Sequence, residues 1–165
     1  MDNSISLLNQ LHPKLVKIAT DAYNQAVKMT PKGVHPVIDA TFRSFEESQK
    51  LYNQGRTTPG TIVSNAKPGR SWHNYGLALD LHLIVNNQDL WFDTTPEGSA
   101  KAASDPNYKI VISVMKSAGF EWGGDFPGNF RDVPHFEMKM GQTLESLQAK
   151  YNNKDFIQGT EYINF

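Results

Sequence analysis

Apolar positions recur every three or four residues near the start of the chain. Leu8, Leu11, Leu15, Ile18 and Ala22 make one stripe, the spacing of a helix with a single buried face. Pro13 opens a fresh helix, because a proline in the first turn gives up only an N–H that would lack an intrahelical partner anyway. Thr30-Pro31-Lys32-Gly33 ends the pattern. Val34 to Phe42, with its β-branched residues, then reads as a half-buried strand. Ser44 and Glu47 have the spacing of a capping box, and Gly55 follows the last turn of the helix they predict. Arg43 therefore falls at a strand-to-helix junction, where a functional side chain is often aimed.

Residues 56 to 75 carry no apolar face and are punctuated by Thr58-Pro59-Gly60 and Lys67-Pro68-Gly69, which predicts a long loop. Leu77 to Val85 is the strongest strand candidate: Leu77, Leu79, Leu81 and Leu83 share one side, Ala78, Asp80 and His82 the other. Asn86-Asn87 suits a tight turn into Leu90-Trp91-Phe92. Residues 93 to 104 read as a second loop or insertion. Asp105 as N-cap and Pro106 at the first position open a helix through Val111, Val114 and Met115, closed by Gly119. Phe120–Trp122 and Pro134–Met138 are short strands, Thr143 caps a final helix to Tyr151, and 152 to 165 read as irregular. The strands are too few and too unevenly connected for a doubly wound sheet. The expected class is α+β, with a small, mainly antiparallel sheet flanked by helices.

Composition narrows the function. The length of 165 residues suits one domain with a proper core. Sixteen basic against seventeen acidic residues argue against a nucleic-acid surface, which needs clustered excess Lys and Arg. No apolar run approaches the roughly 20 residues of a membrane span. Met1-Asp2-Asn3-Ser4 lacks the basic start and apolar stretch of a signal peptide. There is no cysteine, which excludes disulfides, thiolate nucleophiles and cysteine-based metal sites.

Metal or acid–base chemistry would then rest on Asp, Glu and five histidines. Asp80 lies in an otherwise apolar strand, and a carboxylate facing a core is costly unless something cationic compensates it. His73 precedes that strand across Asn74-Tyr75-Gly76, read as flexible. His135 opens another strand beside Pro134, and Asp132 stands three residues before it. Two imidazoles and two carboxylates can divide into three metal ligands and one base. His82 shares Asp80's face, and Glu137 stands likewise to His135; each could line the cleft or support a ligand. Ser71 could orient the loop, touch substrate or simply cap. His12 and His35 match nothing and are expected to be surface or structural. Trp72 and Trp122 fit either a cleft wall or the core.

The run Ser71-x-His73-x-x-Gly76-x-Ala78-x-Asp80, a downstream Asp132-x-x-His135 and an upstream Arg43-Ser44 resemble the M15 family of zinc peptidases. That family includes D,D-carboxypeptidases, D,D-dipeptidases and L-alanyl-D-glutamate endopeptidases, and the likeness extends over residues 35 to 138. Gly55-Arg56-Thr57, Pro59-Gly60 and Trp122-Gly123-Gly124 also look like its endopeptidase and carboxypeptidase branches. The resemblance implies a hedgehog/D,D-peptidase-like fold, one zinc ion held by His73, Asp80 and His135, Asp132 as catalytic carboxylate, and Arg43 as the oxyanion or substrate partner. Its dipeptidase branch has Glu where Asp132 stands, which favours the L-alanyl-D-glutamate specificity. It further implies action on peptidoglycan stem peptides; a monomer is expected, with neither membrane nor nucleic acid as partner. The whole chain, 1 to 165, would be one catalytic unit without a separate wall-binding domain. It would stay cytoplasmic until released like a phage endolysin, or reach the wall by another export route. Two alternatives stay open: removal of terminal D-alanine, and a zinc-stabilised wall-binding module without catalysis.

Overall fold

A computed structural model describes residues 3–165; Met1 and Asp2, part of the stretch read for an export signal, lie outside the described residues. The chain begins with two helices, α1 (Ser4–Leu8) and α2 (Pro13–Met29). Of the expected stripe Leu8, Leu11, Leu15 and Ala22 are buried and Ile18 only partly, while Ala19 and Ala26 complete the buried face of α2. Pro13 sits in the first turn of α2, and His12 caps it by accepting from the Lys14 N–H through Nδ1. His12 is structural. It is fully buried, its Nε2–H donates to the Ile163 carbonyl at 2.9 Å, and burial lowers its pKa, so a neutral imidazole ties the chain's two ends together.

Strand β1 (Val34–Ala40) is followed by helix α3 (Phe45–Asn53), whose Ser44–Glu47 capping box forms in both directions at 3.1 and 2.8 Å. β1 stops short of Phe42 because its register against β2 (Ala78–Val85) breaks between Ile38 and Ala40. That irregularity frees Thr41 to Arg43 to turn toward the site. Asn86 and Asn87, at φ 50° and 64°, make the tight turn into β3 (Gln88–Leu90).

Residues 93 to 104 are a correction to the sequence reading. They contain helix α4 (Pro96–Ser104), capped by the Thr95 hydroxyl on Gly98 N–H. The helix escapes periodicity because it is short and buries mainly small residues, Gly98, Ser99 and Ala102, so no apolar stripe exists to detect. Helix α5 (Pro106–Ser117) follows at once, capped by Asp105 on the N–H groups of Asn107 and Tyr108. Strand β4 (Glu121–Trp122), strand β5 (His135–Glu137) and helix α6 (Leu144–Asn152) complete the order.

The sheet runs β1-β2-β5-β4, all antiparallel, and β3 joins β2 beyond the end of β5. Leu77, Leu79, Leu81 and Leu83 are fully buried in one core with residues of α2 and α5. Burial of each is worth about 1.5–3 kcal/mol. Tyr108 Oη lies 3.0 Å from both the Leu81 and Val133 carbonyls, which locks α5 to the sheet. Trp72 and Trp122 belong to this core; the Trp122 indole N–H donates to Val133 O at 2.7 Å. The opposite face of β2 presents Asp80 and His82.

Candidate active site

Asp80 stands on β2 directly across from His135 on β5. The backbone pairing of the two strands therefore presents two of the site's side chains together. His73 arrives from the loop that precedes β2, in a short 3₁₀ turn over Trp72–Tyr75. Gly76 ends that turn at φ 65°, and a Cβ there would sit 2.6 Å from the His12 backbone nitrogen. Only glycine lets the loop dock so closely on the start of α2.

His73 Nε2, His135 Nδ1 and Asp80 Oδ1 form a triangle with all three sides 3.2 Å. The tautomers follow from the outer partners. His73 Nδ1–H donates to the Thr41 carbonyl at 2.6 Å, and His135 Nε2–H donates to Glu137 Oε2 at 3.0 Å. Neutral imidazoles held this way turn lone pairs inward, toward a carboxylate that can only accept. Such a triangle needs a shared cation, a proton or a metal ion. Three ligands of a tetrahedral zinc ion lie about 3.3 Å apart, so the group can hold one.

Electrostatics agrees. Burial alone would raise the Asp80 carboxyl, but His73 and His135 outweigh it and hold it well below the usual carboxylate range. Burial opposes charge on His135, yet hydrogen bonds to Asp80 and Glu137 push it up to about 9. The site strongly attracts positive charge.

A cavity of about 740 Å³ opens onto the triad. Arg43, Ser71 and Asp132 also line it, with Ile62, Val63 and Phe130 at its lips. Asp132 makes no side-chain hydrogen bond among the described residues, so its carboxylate is free to accept a proton. Burial raises its pKa, and Asp80 adds to this, against the pull of His135, His73 and Arg43. Its backbone is fixed by Gly123: Asp132 N–H donates to Gly123 O at 3.0 Å, and a Cβ at Gly123 would press on His135 Cβ at 3.0 Å. Arg43 forms no ion pair among the described residues. Its backbone N–H donates to His73 O at 3.0 Å, which couples the arginine to the histidine loop.

The chain has clear relatives. A family model described as D-alanyl-D-alanine carboxypeptidase, from the M15 peptidases, matches residues 64–138. The peptidoglycan L-alanyl-D-glutamate endopeptidase CwlK of Bacillus subtilis is 43% identical over 130 residues, 79% of this chain and 74% of CwlK. The chain belongs to the M15 peptidase family. The L-alanyl-D-glutamate peptidase of Listeria phage A118 is 32% identical over 105 residues, 64% of this peptidase but only 31% of the phage protein. The Serratia marcescens L-Ala D-Glu endopeptidase ChiX shares the fold, with a TM-score of 0.53 at 21% identity over 82% of this chain and 86% of its own.

In this M15 peptidase Glu137 backs His135, as described, while His82 turns away from the triad. His82 Nδ1 lies 2.7 Å from Asp39 Oδ2 and its Nε2 3.3 Å from Asp89 Oδ1, and its ring stacks on Trp91. The sequence reading missed Asn74. Read as part of a flexible joint, it is buried and donates to Arg43 O at 2.9 Å and Ser48 Oγ at 2.6 Å while accepting from Gly69 N–H at 3.0 Å. It fastens the histidine turn to α3 and to the Arg43 junction. An asparagine beside a glycine turn carries no spacing signal that could have shown this. The lip residues Ile62, Val63 and Phe130 were equally silent, being apolar residues in loops without periodicity.

Proposed function

We propose that this peptidase is zinc-dependent and hydrolyses the L-alanyl-D-glutamate bond of peptidoglycan stem peptides. The observation that carries the reading is the triangle of His73, Asp80 and His135 facing one open cavity with the unpartnered Asp132 and Arg43. The bond assignment rests on the similarity to CwlK and the A118 enzyme, both L-alanyl-D-glutamate peptidases. Zinc fits the donor set, two neutral imidazoles and a carboxylate with matching spacing. Bound there, it would lower the pKa of a water toward about 7 and polarise the scissile carbonyl.

The chain's own groups supply the rest. Thr41 and Glu137 hold the two imidazoles in the ligating tautomer. Asp132, raised by burial, takes a proton from the attacking water and returns it to the leaving amine. Arg43 stabilises negative charge developing on the carbonyl oxygen or holds a substrate carboxylate. No side chain forms a bond to substrate.

Digestion of defined muropeptides followed by mass spectrometry tests this. Cleavage leaving L-alanine on the glycan side is expected. Release of free D-alanine with that bond intact would favour the D,D-carboxypeptidase reading, which the description of the matching family model supports. Wall binding without any cleavage would favour a binding module. No helix among the described residues is long and apolar enough to cross a membrane.

A further inference from the structure

Trp91 is a large aromatic left 54% exposed at the end of β3. Its inner face stacks on His82, with ring centroids 4.5 Å apart and planes 15° from parallel. His82 cannot swing, because Asp39 holds one ring nitrogen and Asp89 the other. The indole is thus a fixed platform with its outer face open and two partly exposed carboxylates at its margin. Nothing in the mechanism above uses it.

Its position is informative. His82 lies two residues beyond Asp80 on the same face of β2, about 7 Å along the strand. Three residues past Trp91 the chain reaches Thr94, which lines the cavity over the triad. In the proposed substrate the scissile bond follows the first stem residue. Back from that bond lie one alanine, spanning about 3.6 Å, and a lactyl ether of about equal reach, and then comes a sugar ring. The step along β2 from Asp80 to His82, on which Trp91 stacks, is of the same order as the reach from scissile bond to sugar ring.

We propose that Trp91, backed by His82 and flanked by Asp39 and Asp89, is a saccharide subsite that receives the N-acetylated sugar carrying the stem peptide. The apolar face of a pyranose stacks on the open indole face, while the carboxylates accept hydrogen bonds from its hydroxyl and amide N–H groups. This deepens the endopeptidase reading and rests on it. It makes the enzyme a reader of the glycan as well as of the peptide.

The test compares kcat/KM on two substrates, an N-acetylmuramoyl stem peptide and the same peptide without the sugar. Wild type should favour the muramoyl form by about ten-fold, the worth of one good stacking contact. Trp91→Ala should bring the ratio close to one, and Trp91→Phe should retain most of it. A wild-type ratio of one, or an equal loss on both substrates in Trp91→Ala, would overturn the proposal. If neither substrate is cut at the L-alanyl bond, the endopeptidase reading is what fails. The subsite is then decided by titrating a β-1,4-linked N-acetylglucosamine oligosaccharide and following the indole NMR resonances. Movement of the Trp91 signal supports the platform, and a silent Trp91 overturns it.

Discussion

Thr41 O lies 2.6 Å from His73 Nδ1 and accepts a hydrogen bond from its N–H. One main-chain carbonyl at the break in β1 therefore decides which nitrogen of a proposed metal ligand points into the cavity. Glu137 does the same for His135 from the neighbouring strand. Glu137→Ala should weaken zinc binding by about 10- to 100-fold, with Glu137→Gln, which can still accept from Nε2–H, less affected. Competition against a chelating dye measures this, and an unchanged affinity in Glu137→Ala would remove the carboxylate from the metal's support.

Extraction of metal should abolish hydrolysis and lower Tm, and one equivalent of zinc should restore both. The thermal effect follows from linkage, since an ion bound only by the folded state stabilises it. His73→Ala and Asp80→Ala should lose the stoichiometric zinc measured by elemental analysis.

Asp132 separates catalysis from stability. Asp132→Asn should reduce kcat by about 10²- to 10⁴-fold while zinc content stays at one. The folded-state pKa of this carboxyl is raised, chiefly by burial, so its ionisation opposes folding. That cost is fully present above the folded pKa and vanishes as pH falls toward the unfolded value. Without metal, Asp132→Asn should therefore melt at or above the wild-type temperature at neutral pH, with the gap closing in acid.

Arg43 is unpaired among the described residues, so its loss should cost activity rather than stability. Arg43→Ala should lower kcat/KM by about 10²- to 10³-fold with Tm shifted by little. Lysine should rescue poorly, because it lacks the planar fork of donors. A large drop in Tm would instead assign the residue a structural role.

Asn74→Ala breaks contacts to three segments at once. Each lost bond is worth about 1 kcal/mol and an orphaned buried partner more, so a loss of about 2–4 kcal/mol is expected in urea unfolding. Zinc affinity should fall with it, because the turn that carries His73 loosens.

The sequence by itself determined the elements with a strong period or a cap: the striped α2, the alternating β2, and helices α3, α5 and α6. It also carried the donor types, since with no cysteine only imidazole and carboxylate were available, and the resemblance to the M15 family pointed to His73, Asp80, His135, Asp132 and Arg43. It did not carry α4, whose buried face is made of small residues. Nor did it show that Asn74 is a rigid anchor or that His82 faces Asp39 and Asp89. Those outcomes depend on which strands pair and where a register breaks, and nothing local encodes either. Asp80 meets His135 because β2 pairs with β5 across 55 residues of sequence, and His82, only two residues further on, meets β1 and β3 instead. Local periodicity sets which face a side chain takes; only long-range packing sets what it finds there.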